Sequence, residues 1–313
     1  STQSRSSAAS DVYKRQKDNR AEIKNRQDYY KGDHAIVGRN EESADGTVKS
    51  ELVANYVKYG IDMFVGSISG DPYNVTAIET DASEGENDGP ETYREIVTAN
   101  NLDTGDVINA RNAYIAGWGI ETHEYIDKQI VITPQDPINW TNVHDSDGTH
   151  IGSIYVSVVA GGSFYSGDLL KEELIVMVVY DDKNITTYTK SKSSNNSEWS
   201  EVESPSHIFG VVPVVIWRVN ESYASHITDA LIAQQDEYNE IDSCSGDDVR
   251  YDSDGILAIR GYSIGEIQEL ASSLREYKIF PLPENGGIEF IKKDTDTARI
   301  ESRLSRTREH IFT

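Results

Sequence analysis

The stretch His207–Cys244, HIFGVVPVVIWRVNESYASHITDALIAQQDEYNEIDSC, joins a short apolar strand to a long helix with acids down one side. The apolar run GVVPVVIWRV is β-branched and fits a strand; Pro213 inside it calls for an edge position or a strand start. After it the spacing changes to helical and predicts a helix over 223–250. At about 100° per residue, Asp229, Asp236, Glu240 and Asp247 fall within about 40° of one another. Ile227, Leu231, Tyr238 and Ile241 lie opposite, so the helix sets a carboxylate ridge against an apolar stripe.

The ridge sits in a chain that is already acidic. Its 313 residues carry 53 Asp and Glu against 29 Lys and Arg, a formal net charge of −24. That excess argues against a surface that grips nucleic acid all over, since phosphate binding needs cations. It suits a self-repelling, solvated surface, as in a salt-adapted host. The length allows two domains, or one with an elongated appendage. A single cysteine, Cys244, excludes an internal disulfide framework and reads as a small packing residue. No apolar run approaches the ~18 residues of a membrane span.

Residues 1–18 are Ser-rich and aperiodic and read as a non-native or disordered leader. A polar helix then ends at Tyr29, Tyr30 and Gly32. Leu52, Val53, Tyr56, Val57, Met63 and Phe64 recur with helical spacing, with Ser50 as the expected cap and Gly70 and Pro72 as the stop. Two helices follow, over 91–100 and 104–117. Strands take over from Ile120, with a hairpin turn at Asp181–Asn184. The run SKSSNNSEWSEVESPSH reads as a surface loop. Beyond the long helix come a strand (GILAIRGY), a helix from Ser263, two short strands, and a helix capped by Asp294 or Thr295 that is still helical at the last residue given. The fold class is therefore α+β.

That last helix places Arg299, Arg303 and Arg306 on one face, near Lys292, Lys293 and Arg308 and among Asp294, Asp296, Glu301 and Glu309. It reads as an ion-paired surface, as a partner for the acidic helix of a neighbouring subunit, or as spaced phosphate contacts. The acidic ridge is either an ordinary solvated face or a wall that repels a polyanion.

Catalytic patterns are missing. The DSDG runs at 145–148 and 252–255 lack the ligand spacing and distal Glu of a calcium loop and read as turns. The histidines form no metalloprotease pattern, and His123 beside Glu124 reads as a surface or hydrogen-bonded residue. The GWG at 117–119 reads as a helix end plus a tight turn. The expectation is a protein that is not an enzyme, with no metal and no cofactor.

Five motifs in order resemble the portal proteins of long-tailed (siphovirus-type) phages of Gram-positive bacteria. RQDYYKGDHAIVGR, with Tyr29, Tyr30, Gly32 and His34, is similar to that family's N-terminal signature. Asn55, Tyr56 and Tyr59, then Gly66, Gly70 and Pro72, are similar to its next helix. His207, Phe209, Gly210, Val212, Pro213 and Asn220 resemble its His-x-Phe-Gly-x-Val-Pro strand. ITDALIAQQDEYNEIDS, with Asp229, Tyr238, Asn239, Ser243 and Asp248, resembles its first stem helix, and GILAIRGY the strand entering the clip. The middle strands, 120–205, match in character only.

The resemblance implies a helical and β-rich wing over 19–222, a first stem helix over 223–252, a small αβ clip over 253–296, and the start of a second stem helix over 297–313. The family's tunnel loop and crown would follow. It further implies a dodecameric ring around double-stranded DNA that is packaged into, and ejected from, the capsid. The implied partners are the terminase large subunit, a head-completion or tail connector protein, and the scaffolding and major capsid proteins, with no membrane. The place is the capsid vertex of the virion, and the host cytoplasm during assembly. In a ring, the stem stripes would be covered by neighbours, leaving Leu231, Tyr238 and Ile241 substantially exposed in one chain. The competing reading is an acidic β-rich extracellular module that binds calcium or glycan.

Overall fold

A computed structural model describes residues 19–42, 48–71, 73, 76, 89–160, 164–165, 168–169, 172–193, 198–254, 256–261, 285–291 and 296–313. The chain divides into two compact units, Ser1–Asp33 with Asn55–Ile232, and His34–Ala54 with Ala233–Thr313. Helices and antiparallel sheets make it α+β, as the sequence predicts.

The first unit starts with α1, residues 19–31. Gly32 stops it at φ +100°, where its N–H and that of Asp33 both reach Asp28 O, at 3.0 and 2.9 Å. Helix α2 (Tyr56–Ser69) begins later than the periodicity suggests. Its cap is Asn55, not Ser50: the Asn55 side chain accepts from Lys58 N at 2.9 Å, and its Nδ2 donates to Tyr30 O at 3.0 Å. One residue thus caps α2 and ties it to the end of α1. Leu52 and Val53, although apolar at helical spacing, lie in chain without regular secondary structure before it.

Helices α3 (Gly89–Asn100) and α4 (Leu102–Ala116) follow. The inward face of α2, Val57, Ile61 and Val65, packs with Ala110, Tyr114 and Ile115 of α4 and with Ile227. The GWG turn closes α4. Gly117 sits at φ +95°, and a Cβ there would lie 2.1 Å from Tyr223 O; one on Gly119 would lie 2.4 Å from Asn109 O. Neither site admits a side chain.

Strands β1 (Trp118–Ile126), β2 (Gln129–Gln135) and β10 (Val214–Arg218) form a sheet in the order β10-β1-β2, so the strand after Pro213 is an edge. The second sheet orders β3 (Trp140–His144), β4 (His150–Val159), β7 (Leu174–Tyr180), β8 (Ile185–Ser191) and β9 (Ser200–Glu203) as β3-β4-β7-β8-β9. A short pair, β5 (Phe164–Tyr165) with β6 (Asp168–Leu169), completes the sheets described in this unit. Trp140, between the rings of Tyr155 and Tyr180 at 5.2 and 5.3 Å, centres a core with Ile120 and Val214. The turn at Asp181 is as expected, its Oδ1 accepting from Lys183 N and Asn184 N. Strand β9 lies inside the run read as a loop. All four of its residues are exposed, so it has no buried face to imprint an apolar alternation on the sequence.

The long helix α5 is Asp229–Asp254 rather than 223–250. Residues 223–228 are spent on other bonds. Tyr223 has φ +55°, the buried Ser225 Oγ donates to Ile115 O at 2.6 Å, and His226 N donates to Tyr114 O at 3.0 Å. Thr228 Oγ1 then accepts from Leu231 N at 3.2 Å and opens the helix. At the other end, Asp252–Asp254 of the second DSDG belong to the last turn of α5 and not to a free turn.

The second unit holds residues 34–54, α5 from Ala233 onward, strands β11 (Ile256–Arg260) and β12 (Gly287–Ile291) paired antiparallel, and α6 (Thr297–Ile311). The cap of α6 is Asp296, which accepts from Arg299 N at 3.0 Å, instead of Asp294 or Thr295. The helix expected from Ser263 lies outside the described residues.

Candidate functional site

Helix α5 meets the segment 34–54 along a row of side chains four residues apart. Gln235 and Asn239 are 0% exposed and Ser243 is 3% exposed, so the most buried line on this helix is polar. Each member binds main chain. Gln235 Nε2 donates to Ala54 O at 2.9 Å, Ala54 N to Asn239 Oδ1 at 3.3 Å, and Leu52 N to Ser243 Oγ at 2.9 Å. Ser50 N donates to both oxygens of Asp247, at 3.0 and 3.2 Å. Within the row, Gln235 Nε2 also reaches Asn239 Oδ1 at 2.9 Å, and Asn239 Nδ2 meets His34 Nδ1 at 2.7 Å.

Residues 50, 52 and 54 thus meet every fourth residue of the helix, which advances ~6 Å per step. Each four-residue step also turns by about 40°, so the row winds across α5 and reaches the acidic ridge at Asp247.

The four ridge carboxylates therefore have different surroundings. Asp229 is exposed in the first turn of α5, and Asp236 is half-buried. Glu240 pairs with Arg39 of the segment at 2.8 Å. Asp247 takes the Ser50 N–H and lies 3.8 Å from Arg250. On α6, Arg299, Arg303 and Arg306 are all exposed. Arg303 reaches α5 through Glu237, its Nε donating to Glu237 Oε1 at 3.0 Å, so it meets an acid beside the ridge. Leu231, Tyr238 and Ile241 are half-buried in the single chain rather than substantially exposed; Leu231 packs against the core of the first unit.

Charge also holds the segment to itself. Glu41 and Lys49 pair at 2.9 Å, which lowers the carboxyl pKa and raises that of the amine through their shared hydrogen bond. Glu51 accepts from Gly38 N and Asn40 N, both at 2.7 Å, and these backbone bonds hold its carboxyl below the usual range. Cys244 is exposed and does not pack in a core. Partial burial pushes its thiol up, and the nearby Glu240 and Asp247 push it further, which disfavours a nucleophilic thiolate. The cavity lined by Arg39, Lys49, Cys244 and Asp247 is about 20 Å³, room for a water molecule and not for a substrate.

The remaining motif residues build turns and joints. Tyr29 is buried, and Tyr30 Oη donates to Asp62 at 2.6 Å with Lys58 Nζ over its ring. Burial, then Asp62, raises the Tyr30 pKa. Tyr56 is half-buried at the start of α2, and Gly70 ends that helix with no room for a Cβ, which would sit 2.3 Å from Gly66 O. Pro72 lies outside the described residues. The Phe209 ring lies tilted beside His207 and edge-on to His123, Gly210 turns at φ +66°, and Pro213 O accepts from His123 N at 2.9 Å. His123 Nε2 bonds Glu121 at 2.7 Å, not its neighbour Glu124. The first DSDG is an Asx turn, with Asp145 Oδ1 accepting from Asp147 N and Thr149 N. Among the described residues no group of three or more His, Cys, Asp or Glu side chains is placed to hold a metal ion, and no helix is long and apolar enough to cross a membrane.

Sequence reasoning missed Gln235, Asn239 and Ser243 as a set. The signal was present: amide and hydroxyl side chains recurring every four residues, ending in Asp247.

A family model described as "Phage portal protein, SPP1 Gp6-like" matches residues 10–313. No curated protein sequence matches the chain. Among solved structures, it is similar to a chain of the virion of a native gene transfer agent (GTA) particle, at 10% identity and TM-score 0.41, covering 71% of this chain and 57% of that one. It is similar to a chain of the neck of a native GTA particle, computed with C12 symmetry, at 10% identity and TM-score 0.38, covering 67% and 53%. A chain from the neck of an empty GTA particle, computed with C6 symmetry, gives 10% identity and TM-score 0.47, covering 88% and 73%. The chain thus spans little more than half the length of the first two.

Proposed function

This chain belongs to the phage portal protein family, SPP1 Gp6-like, and from that we propose that it is one subunit of a ring-shaped channel at the capsid vertex. Portal proteins are structural components of the virion, where they connect head and tail, and are not enzymes. In our reading the ring is built of copies of this chain, twelve as in its family. DNA passes through it into the capsid during packaging and out during ejection. The region of the β11–β12 pair serves as the dock for the terminase large subunit and later for the head-completion or tail connector protein. Scaffolding and major capsid proteins contact the ring during assembly in the host cytoplasm.

The observation that carries this reading is the family match over residues 10–313. The order of elements agrees with it: an α+β body, the 26-residue α5, a strand pair, and α6. At ~1.5 Å per residue, α5 is about 39 Å long, a fitting length for a channel wall. Such a wall must not hold DNA tightly, because every phosphate contact deepens the wells along the path. Asp229 and Asp236 serve that purpose, exposed Asp229 most directly. Arg299 and Arg306 are available to acids of the next subunit.

Electron microscopy of the full-length protein in negative stain tests the proposal. Rings with a central hole are the expected result. A population that stays monomeric at all concentrations, or that assembles only with calcium or glycan, would overturn it.

A further inference from the structure

Helix α2 is apolar over more of its surface than α4 covers. At about 100° per residue, Phe64 and Ile68 lie on the line of Val57 and Ile61. Val57 and Ile61 pack with Ala110 and Tyr114 of α4, whereas Phe64 and Ile68 are 49% and 52% exposed. Tyr59 and Met63, on another side of the helix, are 61% and 52% exposed. The two charged side chains of α2, Lys58 and Asp62, pair with each other. From Met63 to Gly70 no residue is charged, in a chain where 26% are. The C-terminal half of α2 is thus an exposed apolar surface without charge, of a kind that marks a contact rather than a solvated face.

A second run has the same character. From His207 to Trp217 there is again no Asp, Glu, Lys or Arg. Ile208 and Val211, just before β10, are 67% and 65% exposed. The two surfaces have separate anchors. Phe64 stacks on Tyr114 of α4 at 5.8 Å, while Phe209, next to Ile208, lies edge-on to His123 of β1.

Charge decides what can cover them. Neither run carries a Lys or Arg to hold a nucleic-acid phosphate. Copies of the chain, at a net charge of −24 each, repel one another wherever their acids meet. They close to van der Waals contact most readily where both surfaces are uncharged. A contact that repeats around a ring is heterologous, joining two different surfaces of the same chain. The half-helix and the run before β10 supply such a pair.

We propose that the C-terminal half of α2 in one subunit seats against residues 208–211 of the next. This contact rests on the portal reading above and gives the ring two of its meeting surfaces.

The test is ring assembly of the full-length protein as a function of concentration, followed by sedimentation and negative-stain microscopy. Met63→Glu with Ile68→Glu should raise the concentration needed for rings at least about tenfold, because the seat then buries unpaired charge. Ile208→Glu with Val211→Glu should do the same. Met63→Glu and Ile68→Glu combined in one chain with Ile208→Lys and Val211→Lys should restore assembly to within about threefold of the unmodified protein, since opposite charges then meet. All four positions are exposed, so the dilute subunit should melt as the unmodified chain does. Met63→Ser with Ile68→Ser, which adds no charge, decides the matter if the acidic pair does not fold; it should weaken assembly in the same direction. Ile151→Glu, at a similarly exposed position on β4, should leave assembly unchanged. Unmodified protein that stays monomeric overturns the portal reading and this contact together. Rings that form as readily in both acidic pairs overturn the contact alone and leave the two surfaces to a different partner. Equal loss in Ile151→Glu, or a four-substitution chain no better than the Met63→Glu, Ile68→Glu pair, overturns it as well.

Discussion

The side chain of Asn239 serves three partners at once: Ala54 N and Gln235 Nε2 on its oxygen and His34 on its nitrogen. Replacing it by Leu keeps the γ-branched shape but leaves those groups without the amide they bond in a buried place. The cost of each such group is about 1–3 kcal/mol, so Asn239→Leu is expected to lower stability by about 3 kcal/mol in urea titration. Val249, 63% exposed on the same helix, should tolerate Ser within about 0.5 kcal/mol. Here the polar residue matters more than the apolar one, the reverse of what helix periodicity leads one to expect. A second residue, His150, gives a pH test. Burial, then the nearby His144, lowers its pKa below 6.5. A histidine lowered in this way binds its proton more readily when unfolded, so stability is full above the unfolded pKa and falls as pH drops through it. Thermal melts between pH 7.5 and 5.5 should show a falling midpoint, with a shallower slope in His150→Gln.

At the scale of elements, caps and joints decide where helices begin. The Asp296 cap of α6 is a single side chain on a single N–H. Asp296→Ala should therefore cost about 1 kcal/mol in thermal denaturation, within the usual range for a lost cap. The Arg303–Glu237 pair, with both side chains more than a third exposed, should matter less. Arg303→Ala is expected to change stability by under about 0.5 kcal/mol, because water screens exposed pairs. The start of α5 shows the same rule from the other side. Its helical pattern extends back to Tyr223, yet the chain waits until Asp229 because Ser225 and His226 are tied to the end of α4. Propensity is worth tenths of a kcal/mol per residue and yields to buried hydrogen bonds.

For the whole molecule the question is what the acidic ridge faces. Its four members divide into Glu240 and Asp247, bonded to residues 34–54, and exposed Asp229 with half-buried Asp236. Charge reversal should separate the two pairs. In full-length rings, Asp229→Lys with Asp236→Lys should leave assembly intact and raise DNA affinity, with a steep loss of that binding between two salt concentrations. Glu240→Lys with Asp247→Lys should instead speed amide exchange at Ser50 and Ala54. Intact rings with unchanged DNA affinity in the first variant would remove the lumen role. Loss of rings there would point to pairing with Arg299 and Arg306 of a neighbour. Gel filtration with a DNA titration distinguishes these outcomes.

Much of this architecture is local and could be read from the chain. Periodicity placed α3, α4 and most strands. Asp181 and Gly117 marked their turns, and the order of five motifs pointed to the portal family. These signals survive because they depend on neighbours a few residues away. The attachment of residues 34–54 to α5 was a tertiary matter. Its bonds join positions nearly two hundred residues apart, and at residues 50–54 they use backbone N–H and C=O groups, which every residue carries and no sequence displays. For the same reason Leu52 and Val53 looked helical and were not. Ser50 looked like a cap and proved to be a rung. Sequence alone determined the class, most of the described element order and the acidic ridge. Tertiary structure decided which carboxylates the chain keeps for itself, because only packing reveals which polar groups have lost access to water and must find partners within the protein.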